Sequence, residues 1–127
     1  MLDEDQPEEV LVAVIEALGH AWTELACLAV VPFADYPDDS VRLATVRSMV
    51  GGIESKAGSI TVAAALMPRF PDEDSEVRDW ATFGVGSMLD IDSVEIRAAL
   101  RGNLEDVNYD VRCDALVGWQ GGETLQH

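Results

Sequence analysis

The sequence predicts an all-α protein, an α-α solenoid of about seven short helices in roughly four hairpin units. Three observations lead there. Helix-period patterning runs along the chain, and no convincing alternating strand pattern interrupts it. Capping residues, glycines and prolines cut that pattern into segments of helix length. A Val-Arg pair recurs at Val41-Arg42, Val77-Arg78 and Val111-Arg112, at spacings of 36 and 34 residues.

The elements follow in order from their start and stop signals. The first helix runs from Pro7, a residue suited to a first turn, to about Leu18, where Gly19 stops it. The second spans about Ala21 to Val31 and ends at Pro32. The third starts after Asp38 and runs to Gly51-Gly52. The fourth covers Ser59 to Met67 and is closed by Pro68. The fifth begins after Asp74 and ends near Leu89. The sixth follows Asp92-Ser93, where Asp92 and Glu95 have the spacing of a capping box. The seventh starts near Asn108 and runs to Trp119, ahead of Gly121-Gly122. Short connections make neighbouring helices antiparallel. A short acidic leader (1–6) and a C-terminal tail (121–127) flank the units, and 1–127 reads as one repeat domain.

The repeat carries more than its dipeptide. Three residues before each valine stands Asp38, Asp74 or Asn108, side chains suited to cap a helix start. Four residues after it comes Thr45, Ala81 or Ala115, and eight after it Met49, Val85 or Trp119. A fainter copy begins at Val10, with Val14 and Leu18 at the matching places. Each unit then has one helix with a core stripe at positions 0, 4 and 8, preceded by a partner helix. One such hairpin cannot bury its own apolar face, whereas stacked hairpins can.

The segments Asp72-Glu73-Asp74-Ser75-Glu76-Val77-Arg78-Asp79-Trp80-Ala81 and Asp106-Val107-Asn108-Tyr109-Asp110-Val111-Arg112 resemble HEAT repeats, in particular the short bacterial kind also labelled phycobilisome-lyase-like. The resemblance covers nearly the whole chain, strongest in the last two units and weakest in the first. It implies a HEAT/armadillo-like α-α superhelix that scaffolds or binds other proteins, and it implies no particular reaction. It also implies a bonded ladder between successive repeats, from an Asp five residues before the Val and the Arg just after it. Asp72 with Arg78 and Asp106 with Arg112 match those positions, and Arg42 holds the Arg position of the second unit. Tyr36 holds that unit's Asp position, which puts the ladder in doubt there. The proline that commonly bends the first helix of each pair is absent from its usual place.

Composition narrows the function. Hydrophobic residues at 48% and charged residues at 25% are ordinary for a globular chain. The balance of charge is not: 24 Asp and Glu against eight Lys and Arg give a formal net charge of −16. Such a surface repels nucleic acid and anionic membrane, so the expected partner is a protein or peptide, and a basic one if charge recruits it. The longest nearly apolar run, Leu25 to Ala34, is about ten residues and contains Pro32, too short to span a bilayer. The acidic Met1-Leu2-Asp3-Glu4-Asp5 cannot open a signal peptide. Two distant cysteines, Cys27 and Cys113, make no disulfide framework, and a reducing cytoplasmic setting fits.

No constellation points to catalysis, a cofactor or a metal. His20 and His127, the two histidines, lack partners at ligand spacing. Asp90-Ile91-Asp92-Ser93 has the opening of a calcium loop without its later glycine and glutamate, so a turn and helix cap explain it. The expectation is a non-enzymatic binding module. Its candidate anchors lie three and six residues after each valine, pointing away from the core stripe: Ala13 and Glu16, Ala44 and Arg47, Trp80 and Phe83, Asp114 and Val117. Trp80 and Phe83 form a compact aromatic pair, with Arg47, Asp79 and Asp114 lining the same concave face.

Acidic residues cluster in the turns: Asp35, Asp38 and Asp39; Asp72, Glu73, Asp74 and Glu76; Glu105, Asp106 and Asp110. Capping accounts for one or two per turn, and the rest suggest an acidic ridge. Two rival readings follow. The charge itself is the function in an acidic nucleic-acid mimic or immunity-type inhibitor of a basic protein, while a HEAT-like lyase subunit rests on the resemblance alone. The first helix, from Glu8 to Ile15, is too apolar all round for an exposed end cap, and the tail comes where another hairpin would begin. Either the acidic leader folds over that helix or another subunit covers it, and with the tail this leans toward self-association.

Overall fold

A computed structural model describes residues 7–89 and 91–125, with side chains described as far as Gln120. Seven α-helices are present and no strand occurs among the described residues: α1 (Glu8–Gly19), α2 (Glu24–Val30), α3 (Asp39–Ser48), α4 (Lys56–Leu66), α5 (Ser75–Phe83), α6 (Val94–Asn103) and α7 (Tyr109–Leu125). Short 3-10 turns at Val31–Phe33 and Met67–Arg69 carry the chain through Pro32 and Pro68 into the next turn. A π turn over Gly84–Met88 extends α5 to the neighbourhood of Leu89.

The repeated caps form as expected. Asp38 accepts the amides of Ser40 and Val41 at 2.9 and 3.2 Å. Asp74 does the same for Glu76 and Val77, and Asn108 for Asp110 and Val111. Each side-chain oxygen thereby satisfies amides that have no partner inside their own helix.

Other boundaries differ from expectation. Helix α2 starts at Glu24 because Trp22 takes a left-handed φ of 54°, which no helix continues through, and Thr23 caps the start on the Ala26 amide. Helix α4 starts at Lys56 because Ser55 caps it through the Gly58 amide. The cap of α6 is Ser93, through the Ile96 amide, while Asp92 faces Arg97 at 3.9 Å. Helix α7 runs on through Gly121-Gly122. Glycine ends a helix by turning left-handed, and no described glycine has a positive φ.

The odd-numbered helices pack in sequence, α3 against α1 and α5, and α5 in turn against α7. Helix α2 lies against α1, α3 and α4, and α6 packs on α7. The core runs between these rows. Val41, Val77 and Val111 are fully buried, as are Thr45, Ala81 and Ala115, then Met49 and Val85, so the expected stripe holds in three units. Trp119, the last of the stripe, is half-buried.

The first unit departs from the stripe. Leu11 and Ile15 are its buried residues, Val14 and Leu18 are half-buried, and Val10 is 42% exposed. Val10, Ala13 and Ala17 lie exposed along α1. Leu11 and Ile15 close α1 onto the core, where it packs against α3 and α2.

Candidate functional site

Two of the ladder arginines, Arg42 and Arg78, are fully occupied in building the fold. Arg42 donates through Nε and Nη2 to the two carboxylate oxygens of Asp72, at 3.0 and 3.2 Å. Its Nη1 donates to the carbonyls of Tyr36 and Pro37. Arg78 repeats this on Asp106, at 2.9 and 3.2 Å, and on the carbonyls of Asp72 and Glu73. The bond therefore runs from the arginine of one unit to the aspartate of the next, a bidentate charge-assisted pair. Asp72 also accepts the amide of its own unit's Asp74, and Asp106 that of Asn108.

The rung in doubt at Tyr36 is absent: among the described residues no Arg–Asp pair joins the first and second units. The unit before it holds Leu11 where an arginine would be, so an aspartate at 36 would face no guanidinium, and Tyr36 serves through its carbonyl. Burial works against ionisation of Asp72, but the Arg42 guanidinium and the Asp74 amide outweigh it and hold its pKa below the ordinary value. Asp106 is lowered likewise, its burial outweighed chiefly by Arg78.

A cavity of about 500 Å³ opens at the C-terminal halves of α1, α3 and α5. Three successive helices supply it from the positions three and six after the repeat valine: Glu16 from α1, Ala44 and Arg47 from α3, Trp80 and Phe83 from α5. Gly19 at the end of α1 and the turns after these helices complete the wall, with His20 and Trp22, then Val50 and Gly51, then Met88. Trp80 and Phe83 are half-buried and meet edge to face, their ring centroids 5.8 Å apart. The exposed Arg47 guanidinium lies over the Trp80 ring at 5.7 Å.

Trp22 is the residue that sequence reasoning missed. It is 67% exposed at the cavity rim and holds a backbone conformation costly for a bulky L-residue. Its indole lies on Gly51, where an added Cβ would come within 2.8 Å of the ring, and Gly52 passes equally close to the Trp22–Thr23 backbone. The signal was the pair Gly51-Gly52, read as a helix stop. The pair also marks a close approach.

Asp79 and Asp114 do not join this cavity. They face each other between α5 and α7, where burial first, and then the hydrogen bond and charge of Asp114 with that of Asp110, push the Asp79 carboxyl up to about 7. Asp79 Oδ1 is buried with no hydrogen-bond partner among the described residues. Neutral pH thus finds this acid part-protonated. Of the five expected site residues, Trp80, Phe83 and Arg47 come together, and the two aspartates form a separate contact.

The acidic turns lie at the other ends of the odd helices. Asp38 and Asp74 are spent on caps and Asp72 and Asp106 on the ladder, leaving Asp35, Asp39, Glu73, Glu76, Glu105 and Asp110 exposed. A ten-residue helix is about 15 Å long, so this edge and the cavity do not merge. Cys27 is buried and Cys113 half-buried, and both are free. Among the described residues no three His, Cys, Asp or Glu gather to hold a metal, and no helix is long and apolar enough to cross a membrane. His127 and Asp90 lie outside the described residues, as do the leader 1–6 and the side chains of the tail. No protein-family model matches the chain, and neither does any curated protein or solved structure.

Proposed function

We propose that this chain is a HEAT-like α-solenoid that acts without catalysis, binding a protein or peptide in the cavity lined by Trp80, Phe83, Arg47 and Trp22. One observation carries the reading: equivalent positions of α1, α3 and α5 converge on one cavity, and on α5 both of them are aromatic. Half-buried aromatics at the base, an exposed tryptophan at the rim and the exposed guanidinium over Trp80 suit a partner that inserts an apolar side chain beside a polar group.

The test is affinity capture from lysate of the source cells, washed at low and then high salt, repeated with variants shown to be folded by circular dichroism. Trp80→Ala with Phe83→Ala removes the base of the cavity. Trp22→Ala removes an exposed side chain and leaves the core intact. Loss of a salt-resistant partner in both variants supports the reading, whereas a partner held equally by all three proteins sinks it.

The exposed acids favour a second reading, in which the edge formed by Asp35, Asp39, Glu73, Glu76, Glu105 and Asp110 holds a basic protein as a nucleic acid would. Such a partner leaves with salt and is indifferent to Trp80, because exposed charges are screened and an apolar cavity is not.

A further inference from the structure

Tryptophan rings in this chain act as seats for guanidinium groups. Arg47 lies over Trp80 and Arg97 over Trp119, each 5.7 Å from the ring centroid. Trp22, the third tryptophan of the sequence, is more exposed than either, and among the described residues no cation lies over it. Its six-membered ring rests on Gly51, and its left-handed φ of 54° fixes the turn that carries it. A ring already held in this way loses little further freedom when a ligand stacks on it.

Glu16 supplies a charge on the wall of the same cavity. It stands six residues after the first unit's valine, where α3 has Arg47 and α5 has Phe83, and it is exposed. Glu16 and Arg47 line one cavity, yet among the described residues neither forms an ion pair. Arg47 is turned onto Trp80 instead, which leaves the carboxylate open to a cation from outside.

The field of the whole chain points the same way. A net charge of −16 draws basic groups toward the surface and holds acidic ones off. An anion entering the cavity would meet Arg47 and His20, but also Glu16, and would enter against that field. Lysine and arginine carry an aliphatic stem behind the charge, and a stem suits the half-buried rings deeper in. A space of about 500 Å³ admits such a side chain.

We infer that the partner of this cavity, taken as the binding site proposed above, is a basic protein segment that inserts one arginine or lysine. The Trp22 ring and the Glu16 carboxylate take its charged head, and Trp80 and Phe83 take its stem. Arg47 opposes the incoming charge and occupies the Trp80 face, so its removal opens a second seat.

Titrating the isotope-labelled full chain with capped glycine pentapeptides bearing one central arginine, leucine or glutamate tests this. Binding is read at the indole N–H resonances, with Trp119, outside the cavity, as internal reference. The arginine peptide is expected to shift Trp22 and Trp80 saturably and to bind most tightly, and the glutamate peptide least. Trp22→Ala should weaken the arginine peptide about fivefold, and Glu16→Gln about threefold at low salt. Arg47→Ala should strengthen it about threefold. Glu16→Gln and Arg47→Ala alter exposed side chains, and they carry the test if Trp22→Ala fails to fold.

Tightest binding of the glutamate peptide, lost in Arg47→Ala, overturns the inference and leaves a cavity for acidic segments. Equal binding of the arginine and leucine peptides also overturns it, leaving a cavity that selects apolar groups alone. So does an arginine peptide that moves neither cavity indole at millimolar concentration. The cavity itself stands or falls separately, on capture by the Trp80→Ala, Phe83→Ala variant.

Discussion

At the scale of single residues, two carboxylates with the same chemistry behave oppositely because of what they face. Asp72 meets a guanidinium and is held ionised, while Asp79 meets Asp114 and Asp110 and is driven toward the neutral acid, up to about 7. The stability consequences have opposite signs. Asp72 contributes stability above the unfolded carboxylate pKa, lost as pH falls through its lowered folded value. Asp79 contributes stability in acid, lost as pH rises from about 4 to about 7. Asp79→Asn keeps the shape and removes the proton exchange, so its melting temperature relative to wild type should rise from pH 5 to pH 8. A difference flat across that window would mean Asp79 does not titrate there. Neither behaviour was legible in sequence, where Asp79 is one acid among 24; its neighbours come from a helix more than thirty residues away.

At the scale of elements, the π turn after α5 meets α7 backbone to backbone at Gly86 and Gly118. An added Cβ on Gly118 would stand 2.6 Å from the Gly86 Cα, in a place no flexible side chain can vacate. At Gly102 in α6 the same atom meets nothing within 4 Å. Replacing a helical glycine by alanine gains up to about 1 kcal/mol from propensity, and overpacking costs about 1–3 kcal/mol. Gly118→Ala should therefore lower stability by about 1 kcal/mol and Gly102→Ala raise it by about 0.5 kcal/mol, read from urea midpoints at unchanged slope. Equal effects at the two sites would remove the close approach from the account. Elements whose signals are local were legible: Asp38, Asp74 and Asn108 announce three helix starts, and the valine stripe announces their buried side. The register of burial in α1 was not, because it depends on which sides a neighbour covers. Nor was the start of α2, which depends on the strained turn at Trp22. The meeting of Trp80, Phe83 and Arg47 followed from repeat position alone, whereas Trp22 reaches the same cavity from a turn that has no repeat position.

At the scale of the whole molecule, charge is divided between a compensated interior and an uncompensated surface. Arg42, Arg69, Arg78 and Arg97 already face Asp72, Asp106 or Asp92, so these basic residues are committed within the fold. The exposed acids have few cations left to meet and repel one another at every turn along one edge. Salt acts unequally on the two groups. It screens exposed charges within about 10 Å at 0.1 M and reaches buried pairs much less. Adding salt should therefore remove repulsion while leaving Arg42–Asp72 nearly intact, and stability should rise. A gain of 1 kcal/mol corresponds to about 4 °C in melting temperature for a chain of this size. Salt-promoted self-association would produce the same sign, so the measurement belongs at low protein concentration. A melting temperature that rises with sodium chloride there assigns the effect to surface repulsion within one chain. One that falls would mean exposed ion pairs contribute more to holding the fold than the crowded carboxylates take away.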